Sequence, residues 1–289
     1  MKFLQPGDLA EALEMKSLHP EAVPLAGGTD LMVDLNFDRR RPQTIMDLTR
    51  VEELRRWDRD DGVVVLGAGV TYTQLTDEVG GELPGLRRAS RTVGSPQIRN
   101  RGTVGGNLGT ASAAGDALPP LLASGAEVEV ASVRGHRRLS VEDFLVGPKK
   151  NALESDELIT FVHAHEARGP QQFSKIGTRN AMVIAVATVA LSLDPVGRRV
   201  GTGVGSAGPV CFRATKAESF VSAALEEGGR WESRAPLSDS ATERFGALVA
   251  EAASPIDDVR GTAAYRRHAL GVIARRALIW AWAEYGATS

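Results

Sequence analysis

The chain of 289 residues has a single cysteine, Cys211. One thiol excludes an internal disulfide framework, and it also excludes a zinc site or an iron–sulfur cluster held only by cysteines of this chain. A lone cysteine is compatible with the reducing cytosol, and we therefore expect a cytoplasmic protein. His163 and His165 lie one residue apart, but no third ligand type is near them, so we expect no metal site.

A strong charge of one sign and a long apolar run are also missing. The 34 Lys and Arg residues nearly balance the 36 Asp and Glu residues, which argues against binding to the phosphate backbone of a nucleic acid. Arginine clusters such as residues 39–41 are scattered, and we interpret them as solvated faces. Residues 1–8 lack the apolar core of a signal peptide, and the longest nearly apolar run, 181–193, is shorter than the ~20 residues that span a membrane. We therefore expect the chain to bind neither a nucleic acid nor a membrane.

Strands and helices mix along the chain without strict alternation. The length corresponds to about two domains at roughly 150 residues each. Sequence patterns predict strands at 62–70, 127–130, 158–162, 171–176, 184–193 and 200–204, and helices at 9–15, 215–226 and 262–284. This mixture favours an α+β fold. The polar segment 166–170 contains glycine and proline, and it predicts a boundary between a first domain, 1–168, and a second domain, 169–289.

The last predicted helix, which Thr262 can N-cap, has an apolar stripe. Residues at three-to-four spacing form it: Tyr265, Ala269, Val272, Ile279, Trp280 and Ala283. Arg266, Arg267 and Arg275 lie mostly off the stripe. We interpret the stripe as core packing, with Trp280 and Trp282 as packing anchors.

Two glycine-rich loops are the main candidates for a binding site. The first, residues 25–32, follows a short apolar strand and opens a helix-like run. Its Gly27-Gly28 pair allows positive φ and close approach of a ligand, and the N–H groups that follow can point at an anion. The second loop, residues 101–107, contains a hydroxyl, the pair Gly105-Gly106 and an amide side chain. Glycine pairs are also common in turns, but two such loops can hold both phosphates of a dinucleotide with backbone dipoles.

Two other features of the sequence need an interpretation. Asp30 is unfavourable beside a pyrophosphate, and we expect it to cap the helix or to accept backbone N–H groups. Residues 203–208 match the pattern G-x-G-x-x-G, but Pro209 follows at once and the next residues look extended. The dinucleotide pattern requires a helix there, so we interpret the segment as a glycine-rich strand end.

Four segments resemble the FAD subunits of molybdenum hydroxylases, a group that includes the xanthine dehydrogenase and carbon monoxide dehydrogenase medium subunits. Residues 25–31 resemble the first flavin-binding loop of the family, and residues 97–107 resemble its second loop. Residues 173–179 are similar to the start of the family's C-terminal domain, and residues 258–267 to a signature near its end. The likeness spans nearly the whole chain in the same order.

The resemblance implies a fold and a set of site residues. The fold is an FAD-binding domain of the vanillyl-alcohol-oxidase/PCMH type, followed by a smaller α+β flavoprotein C-terminal domain. The FAD pyrophosphate would be held by Leu25, Ala26, Gly27, Gly28, Thr29, Asp30, Leu31, Met32, Thr103, Val104, Gly105, Gly106 and Asn107. Asp116 would hydrogen-bond to FAD, Leu158 and Lys175 would lie near the flavin, and Val93 would supply an apolar contact. The alternatives are a helix cap for Asp116, plain core for Leu158 and a surface ion pair for Lys175.

The resemblance also implies a function, that of an electron-transfer subunit. A [2Fe–2S] small subunit would pass electrons to non-covalent FAD on this chain, and NAD or another acceptor would receive them, while a molybdopterin large subunit oxidises the substrate. No catalytic residue is assigned. Two departures stand out: Ala113 where the family usually has proline, and Met182-Val183 where several relatives have an acidic or aromatic residue. The alternatives are a stand-alone FAD-dependent oxidoreductase and a non-catalytic assembly subunit.

Overall fold

The computed structural model describes residues 1–287. The chain begins with a small parallel sheet whose strands are β1 (Lys2–Leu4), β2 (Val23–Leu25) and β3 (Thr44–Asp47), in the order β1-β3-β2. Helix α1 (Leu9–Leu18) connects β1 to β2, and helix α2 (Leu31–Asn36) follows β2. A cluster of buried residues that includes Leu4, Met46 and Leu54 forms the core of this part. The first glycine loop therefore leaves the carboxyl end of β2.

An antiparallel sheet of five strands follows, in the order β4-β5-β10-β6-β7. Its strands are β4 (Trp57–Asp60), β5 (Val63–Gly67), β6 (Glu127–Ser132), β7 (Gly135–Ser140) and β10 (Leu158–His165). A separate two-stranded sheet pairs β8 (Leu145–Gly147) with β9 (Lys150–Asn151). A 3-10 helix spans Glu52–Arg55. The helices are α3 (Tyr72–Asp77), α4 (Pro84–Ser90), α5 (Pro96–Arg99), α6 (Val104–Thr110), α7 (Leu118–Ala123) and α8 (Val141–Phe144). The second glycine loop leads into α6.

The C-terminal part is a three-stranded antiparallel sheet with helices. The strands β11 (Gln171–Ile176), β12 (Ala187–Asp194) and β13 (Arg199–Gly205) lie in sequence order. The helices are α9 (Thr215–Glu227), α10 (Arg230–Ser233), α11 (Asp239–Glu251) and α12 (Ala263–Ala287). Helix α12 packs on β11 and β12, and α11 packs on α12. The α+β expectation is confirmed, and the domain boundary at residues 168 and 169 stays a prediction.

The glycines of β13 have a packing role. A Cβ atom on Gly203 would lie 1.8 Å from the carbonyl oxygen of Pro119, and one on Gly201 would lie 2.1 Å from that of Ala123. Helix α7 therefore lies directly against the backbone of β13, which only glycine permits. The interpretation of residues 203–208 as a glycine-rich strand end is confirmed for residues 203–205, where β13 ends.

The expected buried stripe of α12 is largely wrong. Tyr265 and Trp280 are half exposed and Ile279 is also exposed, whereas Trp282 packs in the core. The residues that face the core are Ala269, Leu270, Ile273, Ala274, Ala277, Leu278 and Ala281, joined by the buried Arg266. The helix carries apolar residues on two sides, so spacing alone could not identify the packed side. Within residues 1–287, no helix combines the length and apolar character needed to cross a membrane.

Candidate functional site

A cleft of about 1630 Å³ lies between the two glycine loops and the C-terminal part of the chain. Residues 25–31, 102–103 and 105–107 line it on the side of the glycine loops, and residues 182–184, 206, 208–209, 254–256 and 258 line it on the C-terminal side. Pockets for small ligands usually have volumes of roughly 300–1,000 Å³. This cleft is therefore large enough for an extended ligand such as a dinucleotide.

The first glycine loop packs directly against the second. A Cβ atom on Gly27 would lie 1.8 Å from the carbonyl oxygen of Arg101, so only glycine fits there. Gly28 has φ +75, a left-handed conformation that favours glycine. The backbone N–H groups of Gly27, Gly28 and Thr29 donate to no acceptor among the described residues. These amides are available to a bound anion.

The second glycine loop uses its own amides for packing. Thr103 caps α6, since its Oγ1 accepts the N–H of Gly106 at 2.9 Å, and the N–H of Asn107 donates to the carbonyl oxygen of Thr103 at 3.1 Å. The N–H groups of Val104 and Gly105 donate to the carbonyl oxygens of Val70 and Ala68, at 3.0 and 2.9 Å. The N–H groups of residues 104–107 are therefore already bonded within the chain, so these four amides are not available to a ligand.

The carboxylate of Asp30 links the first glycine loop to the end of α6. Its Oδ2 accepts a hydrogen bond from Oγ1 of Thr110 at 2.9 Å. The expectation that Asp30 caps the helix or accepts backbone N–H groups is wrong within the described residues. Helix α2 has no side-chain cap, Asp30 itself has helical φ and ψ of −100 and −51, and its carboxylate accepts from a hydroxyl group. An N-cap residue is normally extended, which lets its side chain reach back to the first amides of the helix.

Asp116 and Lys175 form a buried ion pair beside the cleft. Lys175 Nζ donates to Asp116 Oδ2 at 2.5 Å and to the carbonyl oxygen of Thr92 at 3.2 Å, and both charged side chains are 8% exposed. Burial raises the pKa of the Asp116 carboxyl above its ordinary value, although the ammonium group of Lys175 opposes this shift. Asp116 lines the cleft, and its Oδ1 has no hydrogen-bond partner within residues 1–287.

This pair contradicts two of the alternatives from the sequence. Lys175 binds a buried carboxylate rather than one on the surface. Helix α7, which begins at Leu118, has no side-chain cap, so Asp116 does not cap it. Asn107 also has a buried Oδ1 without a partner in the described part of the chain, and it lines the cleft. Two acceptor oxygens are thus left for a ligand that donates hydrogen bonds.

Most of the residues expected at the site line the cleft. They are Leu25, Ala26, Gly27, Gly28, Thr29, Asp30, Leu31, Val93, Thr103, Gly105, Gly106, Asn107, Asp116 and Leu158. Leu158 also belongs to the buried core cluster around β1 and β3. Three expected residues do not line it: Met32 is half exposed, Val104 is fully buried in the core, and Lys175 contacts Asp116.

Sequence reasoning missed several residues of the cleft. Tyr72 is buried there against Gly102, and burial raises the pKa of its hydroxyl. Arg39 and Arg40 are exposed, as expected for a solvated face, and they also line the cleft. Arg266 reaches it from α12. The arginine cluster was visible in the sequence, but its position depends on tertiary contacts.

The chain matches known families and proteins along most of its length. The family "FAD binding domain in molybdopterin dehydrogenase" matches residues 1–164, and "CO dehydrogenase flavoprotein C-terminal domain" matches residues 172–281. The chain is 30% identical to the putative xanthine dehydrogenase FAD-binding subunit of Escherichia coli K12, over 96% of this chain and 94% of that protein. It is 29% identical to the nicotine 6-hydroxylase medium subunit of Paenarthrobacter nicotinovorans, over 98% of each.

A solved structure has the same fold. Quinoline 2-oxidoreductase from Pseudomonas putida 86 superposes with a TM-score of 0.87 at 25% identity, over 98% of this chain and 97% of that chain. The expectation of an FAD-binding domain followed by a flavoprotein C-terminal domain is confirmed.

Proposed function

The chain belongs to the family of FAD-binding subunits of molybdopterin dehydrogenases, and from this membership we propose that it binds FAD non-covalently in the cleft between its glycine loops. The observation that carries the proposal is the joint geometry of the two loops, which Gly27 brings into direct contact. A cleft of about 1630 Å³ opens beside them.

The residues present fit this cofactor. The free amides of Gly27, Gly28 and Thr29 supply positive dipoles for a pyrophosphate, so no lysine or arginine is needed in the loop itself. Asn107 and Asp116, each with a buried oxygen that lacks a partner within residues 1–287, would hold polar hydrogens of the cofactor. The remaining residues of both loops, together with Val93 and Leu158, shape the cleft around the cofactor. Lys175 holds Asp116 in place.

Bound FAD supplies the capacity to take up and release electrons singly or in pairs. The chain contributes binding, orientation and partial exclusion of water. Met182 and Ile184 line the cleft and are more than half exposed, so this side of the cleft remains accessible to NAD or another electron acceptor.

The electron donor in this proposal is a partner subunit. One cysteine cannot ligate an iron–sulfur cluster, so the cluster that delivers electrons belongs to another chain. We assign that role to a [2Fe–2S] small subunit, with a molybdopterin large subunit oxidising the substrate in the cytoplasm. The division of this chain near residue 168 is part of the same proposal.

Acid denaturation of the purified chain tests the cofactor assignment. We expect about one FAD per chain, released intact into the supernatant, because no histidine or cysteine lies in either glycine loop to form a covalent bond. Flavin that stays with the denatured chain, release of FMN alone, or failure of the ligand-free chain to take up FAD would each contradict it.

A further inference from the structure

The guanidinium group of Arg266 is buried in the wall of the cleft. The side chain is 3% exposed, although it carries a charge. Nη1 donates to the carbonyl oxygens of Val186 and Ser206 at 2.9 and 3.0 Å, and Nη2 donates to the carboxylate of Asp258 at 2.6 Å. Burying a charge costs free energy that such hydrogen bonds must offset, so the arrangement constrains the groups that accept them.

The three acceptors belong to three separate segments of the cleft wall. Val186 follows residues 182–184, which line the cleft. Ser206 lines it directly, immediately after β13. Asp258 ends the lining segment 254–258. Arg266 therefore joins residues up to 72 positions apart in the sequence, counted from Val186 to Asp258.

The connection continues from Ser206 to the second glycine loop. Ser206 has φ +58, and its N–H donates to the carbonyl oxygen of Ala113 at 2.6 Å. Ala113 precedes Gly115, where an added Cβ atom would lie 2.8 Å from Oδ1 of Asn107. One short path of bonded and packed groups thus runs from Arg266 to Asn107, a residue that lines the cleft.

We propose that Arg266 is a positioning residue for the FAD cleft. It fixes three segments of the C-terminal wall relative to each other, and through Ser206 it fixes the residues that follow the second glycine loop. This inference rests on the proposed function for the identity of the ligand. The wall therefore has its binding geometry before FAD binds. This lowers the free-energy cost of ordering these segments during binding.

Two substitutions of Arg266 test the proposal on the full chain. Arg266→Lys keeps the charge, but an ammonium group lacks the planar fork that reaches three acceptors. Arg266→Met removes the charge and all three bonds. Arg276→Met is the matched control, because Arg276 lies on the same helix and is exposed.

Two measurements are made well below the unfolding temperature: the Kd of FAD, and the amide hydrogen exchange of the ligand-free chain. We expect both Arg266 variants to bind FAD at least 10-fold more weakly. We also expect faster exchange at residues 182–186, 206–208 and 254–258, with α9 and α11 unchanged. The control should match the wild-type chain in both measurements.

Other outcomes separate positioning from a general contribution to stability. Wild-type affinity and exchange in Arg266→Lys would overturn the proposal, and this variant also decides the question if Arg266→Met does not fold. If amide hydrogen exchange in α9 and α11 rises as much as in the three wall segments, Arg266 contributes to the stability of the whole chain. That result would overturn its role as a positioning residue. If the wild-type chain binds no FAD, the proposed function fails, while exchange confined to the three segments still supports the positioning of the wall.

Discussion

Gly27 and Gly28 are adjacent, but they are glycines for different reasons. Gly28 has a left-handed backbone, whereas Gly27 lies where any side chain would overlap the carbonyl group of Arg101. Gly105 resembles Gly27, since a Cβ atom there would lie 2.5 Å from the Cβ of Ala68. Only part of the glycine pattern therefore serves ligand approach. The rest allows the two loops and the end of β5 to pack closely.

Gly27→Ala is expected to weaken FAD binding at least 10-fold, which corresponds to about 1.4 kcal/mol. The added methyl group forces the first loop away from Arg101, and the amides of Gly28 and Thr29 move with it. The measurement is a fluorescence titration of the ligand-free chain with FAD. Gly81→Ala is the matched control, because a Cβ atom on Gly81 meets no atom within 4 Å. Equal affinity in Gly27→Ala and Gly81→Ala would refute the loop assignment.

Cys211 is expected to be unreactive in the folded chain. Its side chain is 3% exposed and its Sγ lies 3.2 Å from the carbonyl oxygen of Ala113. Burial raises the pKa of the thiol, so the reactive thiolate is scarce at neutral pH. We expect an aromatic disulfide reagent to modify it at least 100-fold more slowly in buffer than in denaturant. Comparable rates in the two conditions would show that Cys211 is accessible.

The sequence could predict which residues line the cleft better than which atoms each one contacts. The loops carry local motifs, so their residues could be named from the chain alone. The Asp116–Lys175 pair joins residues 59 positions apart, and no local pattern connects them. Arg266 was placed off the apolar stripe, yet it is buried, because its acceptors come from segments that only the tertiary structure brings together.

The turn before α12 is held by charged side chains. The carboxylate of Asp258 accepts hydrogen bonds from Arg260, at 2.6 Å, and from Arg266, also at 2.6 Å. These arginines hold the pKa of Asp258 well below its ordinary value, with the bond from Arg260 as the largest cause. Asp257 contributes a further bond by accepting the N–H of Ala263 at 2.5 Å. The first turn of α12 is thereby tied to the cleft wall.

This turn should make stability depend on pH in the acid range. Because the pKa of Asp258 is lower in the folded chain than in the unfolded chain, its contribution is present above about pH 4 and is lost as pH falls below that value. We expect Asp258→Asn to lower the free energy of unfolding by about 1 kcal/mol at pH 7, and by less near pH 3. Urea unfolding at several pH values measures this difference.

The exposed Asp77 provides the control for that experiment, since Asp77→Asn removes a carboxylate on the surface of α3. We expect this variant to follow the wild-type pH dependence. A loss of stability in Asp258→Asn that stays the same from pH 3 to pH 7 would rule out the role given to the Asp258 carboxylate.

Helices and strands could be predicted where one spacing of apolar residues dominates the segment. β11 spans Gln171–Ile176 as expected, and α9 ends within one residue of its expected end. The packed side of α12 could not be predicted, because apolar residues occur on two sides of that helix and Trp280 remains half exposed. Of the parallel sheet, the sequence predicts only β2, as the short apolar strand before the first glycine loop, because β1 and β3 have only three and four residues.

At the scale of the whole molecule, the cleft depends on both ends of the chain. The glycine loops come from the first 107 residues, while Met182, Ile256 and Arg266 come from the C-terminal part. Lys175 on β11 holds Asp116, which precedes α7. We therefore expect residues 1–168 alone to bind FAD more weakly than the full chain does, which a titration of that fragment measures. Full affinity in that fragment would show that the C-terminal wall is dispensable.

The chain has one cysteine and therefore no cluster of its own, so in our proposal electrons cross an interface to reach the flavin. The FAD-loaded chain alone should not oxidise purines, aldehydes or other substrates of molybdenum hydroxylases. Adding the cognate small and large subunits together with substrate should bleach the flavin absorbance, whereas the large subunit without the small one should not, because the cluster is missing from the path. If the isolated chain turns over an organic substrate at an enzymatic rate, it acts as a stand-alone oxidoreductase and the subunit assignment fails.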